Sequence, residues 1–215
     1  MFRIAFVPGV TLTKWTRAWE QRRPDSPLQV TPIDESSQTA VLHDQTADVA
    51  FARLPIDEDG LSVIRLYDEL PVVVLPVGHD LERATSVSLA DLAGDNILQV
   101  GENTKDAVEL VAAGAGLLLL PQSVARQHNR KDVVAVLVAD APSTTIALVW
   151  LAQETTADID EFVGIVRGRG IRSSRGTGAE AAGTAAPKAP KRARDAKPRR
   201  DPKRTQHPRA RRRRG

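Results

Sequence analysis

The first quarter of the chain alternates between strand-like apolar runs and helix-like apolar spacing. Three short segments predict strands: residues 3–7, residues 28–33, and residues 48–52, the last of which has the composition of a buried strand. The segments between them predict helices: Leu12, Trp15, Ala18 and Trp19 recur at helical spacing, and residues 40–42 form a shorter apolar stretch. The resulting order of strand, helix, strand, helix, strand requires parallel strands joined by right-handed crossovers.

The same alternation continues to about residue 167. Further strands are predicted at residues 63–66, 70–77, 97–100, 117–120, 133–138 and 145–151. Further helices are predicted from Ser88 to Gly94 and from Thr104 to Ala113. Another helix is predicted to begin with Pro121, and the last helix is predicted to begin near Thr155, where Asp158 completes a capping box. A chain that alternates strands and helices in this way is typical of the α/β class.

The composition changes abruptly after Arg167. Beyond Ile171 the chain contains no Leu, Ile, Val, Phe, Tyr or Trp. Such a segment cannot bury enough apolar surface to offset roughly 1–2 kcal/mol of backbone ordering per residue. We therefore predict that residues 168–215 form a disordered tail.

Charge divides the chain at the same place. The whole sequence has a formal net charge of +3, but residues 1–167 contain 13 basic and 24 acidic residues, whereas residues 168–215 contain 17 basic and 3 acidic residues. An acidic body with a net charge of −11 thus precedes a basic tail with a net charge of +14. The overall charge describes neither part.

The basic tail predicts nonspecific attraction to nucleic acid by counterion release. The residues expected to make these contacts are Lys191, Arg192, Arg194, Lys197, Arg199, Arg200, Arg211, Arg212, Arg213 and Arg214. No aromatic residue is interleaved for base stacking, which disfavours sequence-specific reading of single strands. The alternative is a solvated appendage without function, or one attracted to the acidic body itself.

Several classes of protein are excluded or disfavoured. The absence of cysteine excludes disulfides, thiol nucleophiles and Cys-based zinc sites. The first residues do not have the pattern of a signal peptide, and no apolar run approaches the roughly 20 residues of a membrane span, so we expect a cytoplasmic protein. The four histidines are scattered, and no phosphate-binding loop or nucleophile motif follows a strand. We predict that the protein is not an enzyme and has no metal or cofactor.

Five segments in order resemble the effector-binding domain of LysR-type transcriptional regulators. They are RIAFVPGV at residues 3–10, QTADVAFARLP at 45–55, LYDELPVVVLPVGHDL at 66–81, SLADL at 88–92 and VAAGAGLLLLP at 111–121. The resemblance implies an α/β, two-lobed fold like that of type 2 periplasmic binding proteins. On that template residues 1–70 and 142–167 form lobe I, and residues 71–141 form lobe II.

The chain departs from the family pattern in two places. It starts directly in the first strand, where the family has a winged helix-turn-helix and a linker helix. The strand at residues 97–100 passes almost at once to the helix at Thr104, so lobe II is expected to be shortened. A stand-alone sensing domain, in which the short lobe limits closure of the effector pocket, is the expectation from these departures.

Ligands of doubly wound sheets bind beyond the carboxyl ends of the strands, near helix N-termini. This places a candidate effector site at Val10, Thr11, Ser36, Gln38 and Arg53 of lobe I, and at Thr104, Gln122 and Ser123 of lobe II. For the Thr and Ser residues, helix capping is an equal or commoner role.

Arg53 is the strongest single candidate. It directly follows a buried strand, and a guanidinium group can hold a carboxylate through two parallel hydrogen bonds. The resemblance implies the same, since family members with effectors derived from aromatic acids can use an arginine here. The alternative is an ion pair with a neighbour such as Asp57 or Glu58.

The sequence therefore predicts a small-molecule sensor or accessory regulator in transcription, with a small organic acid as its effector. The alternative is a non-catalytic interaction protein that forms a homodimer through the domain and binds nucleic acid through its tail. A solute-binding transport protein shares the fold but is disfavoured by the lack of a signal peptide.

Overall fold

The computed structural model describes residues 1–100 and 103–168 of the chain. The prediction of a disordered tail, and its ten candidate nucleic-acid residues, lie outside the described residues. The described part contains these strands: β1 (Phe2–Phe6), β2 (Leu28–Pro32), β3 (Val49–Leu54), β4 (Leu61–Glu69), β5 (Pro71–Pro76), β6 (Ser86–Val87), β7 (Ile97–Leu98), β8 (Leu117–Pro121), β9 (Val133–Val138) and β10 (Thr144–Leu151). Its α-helices are α1 (Thr13–Arg22), α2 (Ala40–His43), α3 (Thr104–Ala112), α4 (Gln122–Gln127) and α5 (Ala157–Val166).

The first sheet has the strand order β2-β1-β3-β10-β4. Strand β1 pairs in parallel with both β2 and β3, as the predicted strand–helix–strand alternation requires. The late strand β10 inserts between β3 and β4 and runs antiparallel to both. The C-terminal part of the body therefore completes a sheet that the N-terminal part begins.

Both faces are buried at the centre of this sheet, which explains the continuous apolar run Val49–Ala52 of β3. On one face an aromatic cluster joins the sheet to α1 and α5. Phe2 stacks on Trp19 with ring centroids 4.6 Å apart, and Trp15 stacks on Phe51 at 4.8 Å. Phe162 of α5 packs edge-on against Phe51. Small side chains of β3 and β10 pack with α2 on the other face.

The second sheet has the order β6-β9-β5-β8-β7. Its central strand β5 runs antiparallel to β8 and β9, whereas the two edge strands pair in parallel with their neighbours. Helices α3 and α4 cover one face, and on the other face Leu92 packs with Val73 and Leu75 of β5. The chain enters this sheet through the β4–β5 junction and leaves it before β10.

Four predicted boundaries are wrong. The segment after Ser88 is a single 3₁₀ turn (Ala90–Leu92) rather than a helix, although Ser88 Oγ does accept the Asp91 N–H as a cap would. The strand predicted at 97–100 ends at Leu98 because only two residues pair with β8. Pro121 ends β8 instead of opening α4.

The fourth boundary concerns the last helix. Thr156, not Thr155, caps α5 by accepting the N–H of Ile159, so the proposed capping box with Asp158 does not form. The Thr155 hydroxyl accepts the indole N–H of Trp150 instead, at 3.0 Å. The two-residue strand β6 was not predicted, since it is too short to show a period.

Candidate functional site

The parallel strands of the first sheet end at one edge, and their carboxyl ends form one wall of a cleft. The segments that follow β1 and β2 contribute this wall together with Arg53, which lies near the end of β3. Residues of β8 and of the N-terminal ends of α3 and α4 form the opposite wall. The cleft has a volume of about 680 Å³. We call it the Arg53 cleft; it is lined by Pro8, Asp34, Glu35, Ser36, Arg53, Val100, Thr104, Leu119, Leu120, Pro121, Val124 and Thr144.

Arg53 lies at the base of this cleft with only 4% of its surface exposed. Its Nε donates to Glu69 Oε2 at 2.7 Å, Nη1 donates to Glu35, and Nη2 donates to the Pro8 carbonyl oxygen at 2.7 Å. Each guanidinium nitrogen therefore already has an acceptor. An isolated buried arginine would cost several kcal/mol in lost hydration, and the two carboxylates offset that cost.

Glu69 is the second buried ionic group of the site, with 5% of its surface exposed. Its carboxylate accepts hydrogen bonds from the Ser123 hydroxyl of α4 and, at 3.4 Å, from the Thr144 hydroxyl of β10. Because Glu69 ends β4 and Ser123 follows β8, this carboxylate joins the two sheets. The group that holds Arg53 is thus also the group that ties α4 to the first sheet.

Gln38 fixes the backbone of Arg53. Its amide nitrogen donates to the Arg53 carbonyl at 3.0 Å, and its amide oxygen accepts the Arg53 N–H at 2.9 Å. Both functional groups of this buried side chain are therefore used within the protein. Gln38 positions Arg53 and does not line the cleft.

The ion-pair interpretation of Arg53 is right in kind and wrong in its partners. Glu58 pairs with Arg65, and the Asp57 carboxylate accepts the backbone N–H of Asp59. The actual partners, Glu35 and Glu69, come from segments distant in sequence. With Asp34 also in the lining, the acidic groups around Arg53 outnumber its single positive charge.

The remaining candidates fall into four groups. Ser36 and Thr104 line the Arg53 cleft, and the cap of α3 is Asn103, which leaves the Thr104 hydroxyl free of that role. Val10 is buried in the aromatic core. Gln122 does not line the cleft, and its backbone N–H donates to the Leu70 carbonyl at the junction with β5.

Thr11 and Ser123 line a different cleft, of about 690 Å³, between α1 and α4. We call it the α1–α4 cleft; it is lined by Gly9, Thr11, Thr13, Lys14, Trp15, Arg17, Tyr67, Ser123, Arg126 and Gln127. No side chain caps α1, so the capping role considered for Thr11 is not realised. The sequence candidates are therefore distributed over two clefts.

Gly9, in the turn after β1, lies in close contact with Ser123 at the start of α4. Its φ of +94° lies in the left-handed region, and a Cβ added there would be 2.2 Å from the Ser123 hydroxyl. Its N–H donates to Gln127 Oε1 at 3.0 Å. Only glycine fits this contact between the turn after β1 and the start of α4.

Glu69 and Thr144 are the functional candidates that sequence reasoning missed. Glu69 follows two polar residues at the end of a strand, a pattern that predicts an exposed side chain. The one feature of the sequence that could have indicated its burial is its position directly before Leu70–Pro71, where the chain passes from the first sheet to the second. Burial of Tyr67 and its proximity to Glu69 raise the pKa of the neighbouring phenol.

No group of three or more potential metal ligands occurs in residues 1–100 and 103–168. His79, one of the scattered histidines, accepts the N–H of Leu81 in the turn after β5. None of the helices in the described part has the length and apolar character needed to cross a bilayer.

Comparison with known proteins assigns the domain. The LysR substrate binding domain model matches residues 1–108 and 97–170. The chain belongs to this LysR family. Among curated relatives, the Hca operon transcriptional activator HcaR of Escherichia coli (strain K12) is 24% identical, with 77% of this chain and 67% of HcaR covered. A probable hydrogen peroxide-inducible genes activator of Mycobacterium avium is 31% identical, with 68% and 57% covered.

Solved structures of LysR-type proteins share the fold. The BenM effector binding domain with its effector benzoate has a TM-score of 0.64 at 21% identity, covering 77% of this chain and 90% of that chain. The reduced form of OxyR has a TM-score of 0.66 at 21% identity, covering 77% and 93%. The predicted α/β, periplasmic-binding-protein-like fold class is therefore confirmed for this LysR domain. The chain spans between 57% and 67% of the length of the curated relatives it matches.

Proposed function

We propose that this LysR-family domain is the effector sensor of a transcription regulator, or of an accessory regulator, and that its effector is a small organic acid. The supporting observation is the Arg53 cleft, whose volume of about 680 Å³ lies within the range of small-molecule sites. The apolar side chains of β8 suit a ring or alkyl chain, and the hydroxyls of Ser36, Thr104 and Thr144 supply polar contacts. The relatives are named as transcriptional activators or regulators.

The ion pairs of Arg53 require that the acid enters by exchange. Glu69 is buried and cannot leave without losing its partners, whereas the Glu35 side chain is 52% exposed. An incoming carboxylate takes the place of the Glu35 carboxylate on Arg53, and Glu35 turns towards solvent. The charge next to Arg53 is then nearly unchanged by binding, which keeps the cost of exchange low.

Lobe boundaries at residues 1–70 with 142–167, and at 71–141, are part of this proposal. The way in which the strands divide between the two sheets supports them. We propose that the effector lies between the lobes and that the protein has no catalytic role. A regulator of transcription acts where the DNA is, so cytoplasmic localisation belongs to the same proposal.

The proposal includes two partners. The first is a second copy of the chain, because we expect the domain to form a homodimer. The second is nucleic acid, and the net charge of +14 in residues 168–215 supports nonspecific attraction to it. The comparisons favour the sensor over a protein that acts by interaction alone, since the relatives are named as regulators.

Glu35→Gln tests the exchange step directly. Benzoate is the first probe because it is the effector of the BenM domain of like fold. Removing the competing carboxylate should strengthen benzoate binding by roughly 1 kcal/mol, about fivefold in Kd, in a titration followed by thermal shift or calorimetry. Glu58→Gln, which breaks an exposed ion pair elsewhere, is the matched control and should leave Kd unchanged.

Two results would count against the proposal. If neither benzoate nor other small organic acids shift the melting temperature of either protein, the cleft is not an acid sensor. If Glu35→Gln weakens the binding of an acid, the acid does not replace Glu35 on Arg53.

A further inference from the structure

The α1–α4 cleft has an unusual charge for this body. Its lining contains three cations, Lys14, Arg17 and Arg126, and no carboxylate. The Arg53 cleft has the opposite character, with Asp34 and Glu35 in its lining. A surface concavity without acidic residues is unexpected in residues 1–167, where acidic residues exceed basic residues by 11.

These three cations also lack ion-pair partners within the described residues. Most arginines of the body form a salt bridge there, as Arg3 does with Asp48 and Arg23 with Asp158. Lys14, Arg17 and Arg126 form none, and Lys14 instead lies 4.5 Å from the ring centroid of Trp15. Their positive charges are therefore not neutralised by the protein.

Neutral polar groups complete the lining. Thr11 and Thr13 supply hydroxyls from the start of α1, and Gln127 supplies an amide from α4. The Tyr67 phenol is protonated, and so can donate, at neutral pH, because the ordinary pKa of a phenol is about 10 and partial burial raises the pKa of Tyr67 further. Hydrogen-bond donors and unpaired cations thus face the same volume from both walls.

We propose that the α1–α4 cleft binds a small polyvalent phosphate, such as a diphosphate group. Three cations match a ligand that has more than one negative charge, whereas a single carboxylate would leave most of this charge uncompensated. The concave shape and the volume of about 690 Å³ fit a small molecule. This site is distinct from the organic-acid site proposed at Arg53.

The two sites share one hydrogen-bonded connection. Ser123 lines the α1–α4 cleft, and its hydroxyl donates to Glu69, whose carboxylate holds Arg53. A phosphate held by α1 and α4 joins the helix packed on the first sheet to the helix packed on the second. Phosphate binding at the α1–α4 cleft is therefore expected to change the distance between the two walls of the Arg53 cleft.

Pyrophosphate titration of the full chain, followed by amide NMR, tests the site. The Gly9 amide is a local probe because it donates to Gln127 at the edge of the cleft. We expect saturable shifts of Gly9 and of residues at the start of α1. Lys14→Gln and Arg126→Gln should each weaken binding about threefold, and the double variant about tenfold. Lys131→Gln, an exposed lysine outside this lining, is the matched control and should bind as the parent does.

The readout separates the cleft from the basic tail, which is the same in every variant. Shifts confined to residues 168–215, with Gly9 unmoved, would overturn the proposal. An unchanged midpoint in the double variant would overturn it as well. The pyrophosphate titration contains no organic acid and is read at Gly9, so that failure of the organic-acid site and failure of this site are distinguishable.

Discussion

At the residue scale, the buried pair of Arg53 and Glu69 determines how the site is held. Both side chains are at least 95% buried, and each depends on the other for compensation of its charge. Removing one partner of such a pair costs 3–5 kcal/mol in typical proteins because the other charge stays buried. Arg53 is thus a structural residue as well as a candidate ligand contact, and truncating it tests folding before it tests binding.

Glu69→Gln should lower the free energy of unfolding by about 3 kcal/mol. The low end of the range applies because Glu35 still pairs with Arg53. Urea unfolding followed by tryptophan fluorescence measures the change. Glu35→Gln is the control, and should cost less than about 1 kcal/mol because the Glu35 side chain is half exposed. If Glu69→Gln and Glu35→Gln lower the free energy of unfolding equally, burial does not determine the strength of the two ion pairs of Arg53.

The sequence indicated Arg53 but not its surroundings. The local pattern places it at the carboxyl end of a buried strand, and β3 ends one residue later, at Leu54. There Arg53 is near the end of the parallel strand β1, whose following loop lines the same cleft. Its partners are set by long-range structure: Glu35 lies in the turn after β2, and Glu69 ends β4, which pairs with β10 on the side away from β3. No local pattern encodes either placement. For the same reason Gln38, which resembled a ligand contact, is a backbone clamp on Arg53.

At the scale of elements, strands buried on both faces were the easiest to predict. The residues Val49–Ala52 of β3 and Leu117–Leu120 of β8 form uninterrupted apolar runs because helices or loops cover both sides of each sheet there. Short elements were missed or overextended, since two residues of β6 show no period. Helix starts differed by one residue where adjacent residues could both cap, as Thr155 and Thr156 can.

Thr156→Ala should destabilise the protein by about 1 kcal/mol, the usual cost of losing an N-cap side chain. The Thr156 hydroxyl accepts the N–H of Ile159, whose side chain belongs to the aromatic core. Chemical denaturation measures the loss. Thr156→Ser keeps the hydroxyl and should retain most of the stability; a serine variant as unstable as the alanine variant would assign the effect to the lost methyl group.

Asp91 provides a pH dependence at the 3₁₀ turn Ala90–Leu92. Hydrogen bonds from the backbone N–H and the hydroxyl of Ser88 lower the pKa of its carboxyl group. A lowered pKa in the folded state means stability that is present above the unfolded value of about 3.9 and is lost as pH falls through the folded value. Asp91→Asn should therefore melt at a lower temperature than the parent at pH 7, and the gap should close below about pH 4. If the difference in melting temperature between Asp91→Asn and the parent persists in acid, the difference is due to lost packing and not to the charge of Asp91.

At the scale of the whole molecule, the charge division at Arg167 separates two kinds of interaction. Within the described body the arginines are mostly paired with carboxylates, and the cations without partners that lie together are those of the α1–α4 cleft. The large excess of positive charge lies in residues 168–215. Small anions should therefore be held by the body, and extended polyanions by the segment after it.

Mobility shift with duplex DNA tests this division, comparing the full chain with a chain that ends at Arg167. The full chain should retard DNA of unrelated sequences equally at low salt, and the effect should weaken steeply as salt rises, because each phosphate contact releases counterions. The shorter chain has a net charge of −11 and should not retard DNA under the same conditions. Replacing Arg211, Arg212, Arg213 and Arg214 by serine in the full chain should reduce the salt dependence without abolishing binding, since 13 basic residues remain after Arg167. If the shorter chain retards DNA as strongly as the full chain does, the nucleic-acid contact lies on the body. If retardation by the full chain does not depend on salt and is selective for sequence, counterion release does not explain the binding.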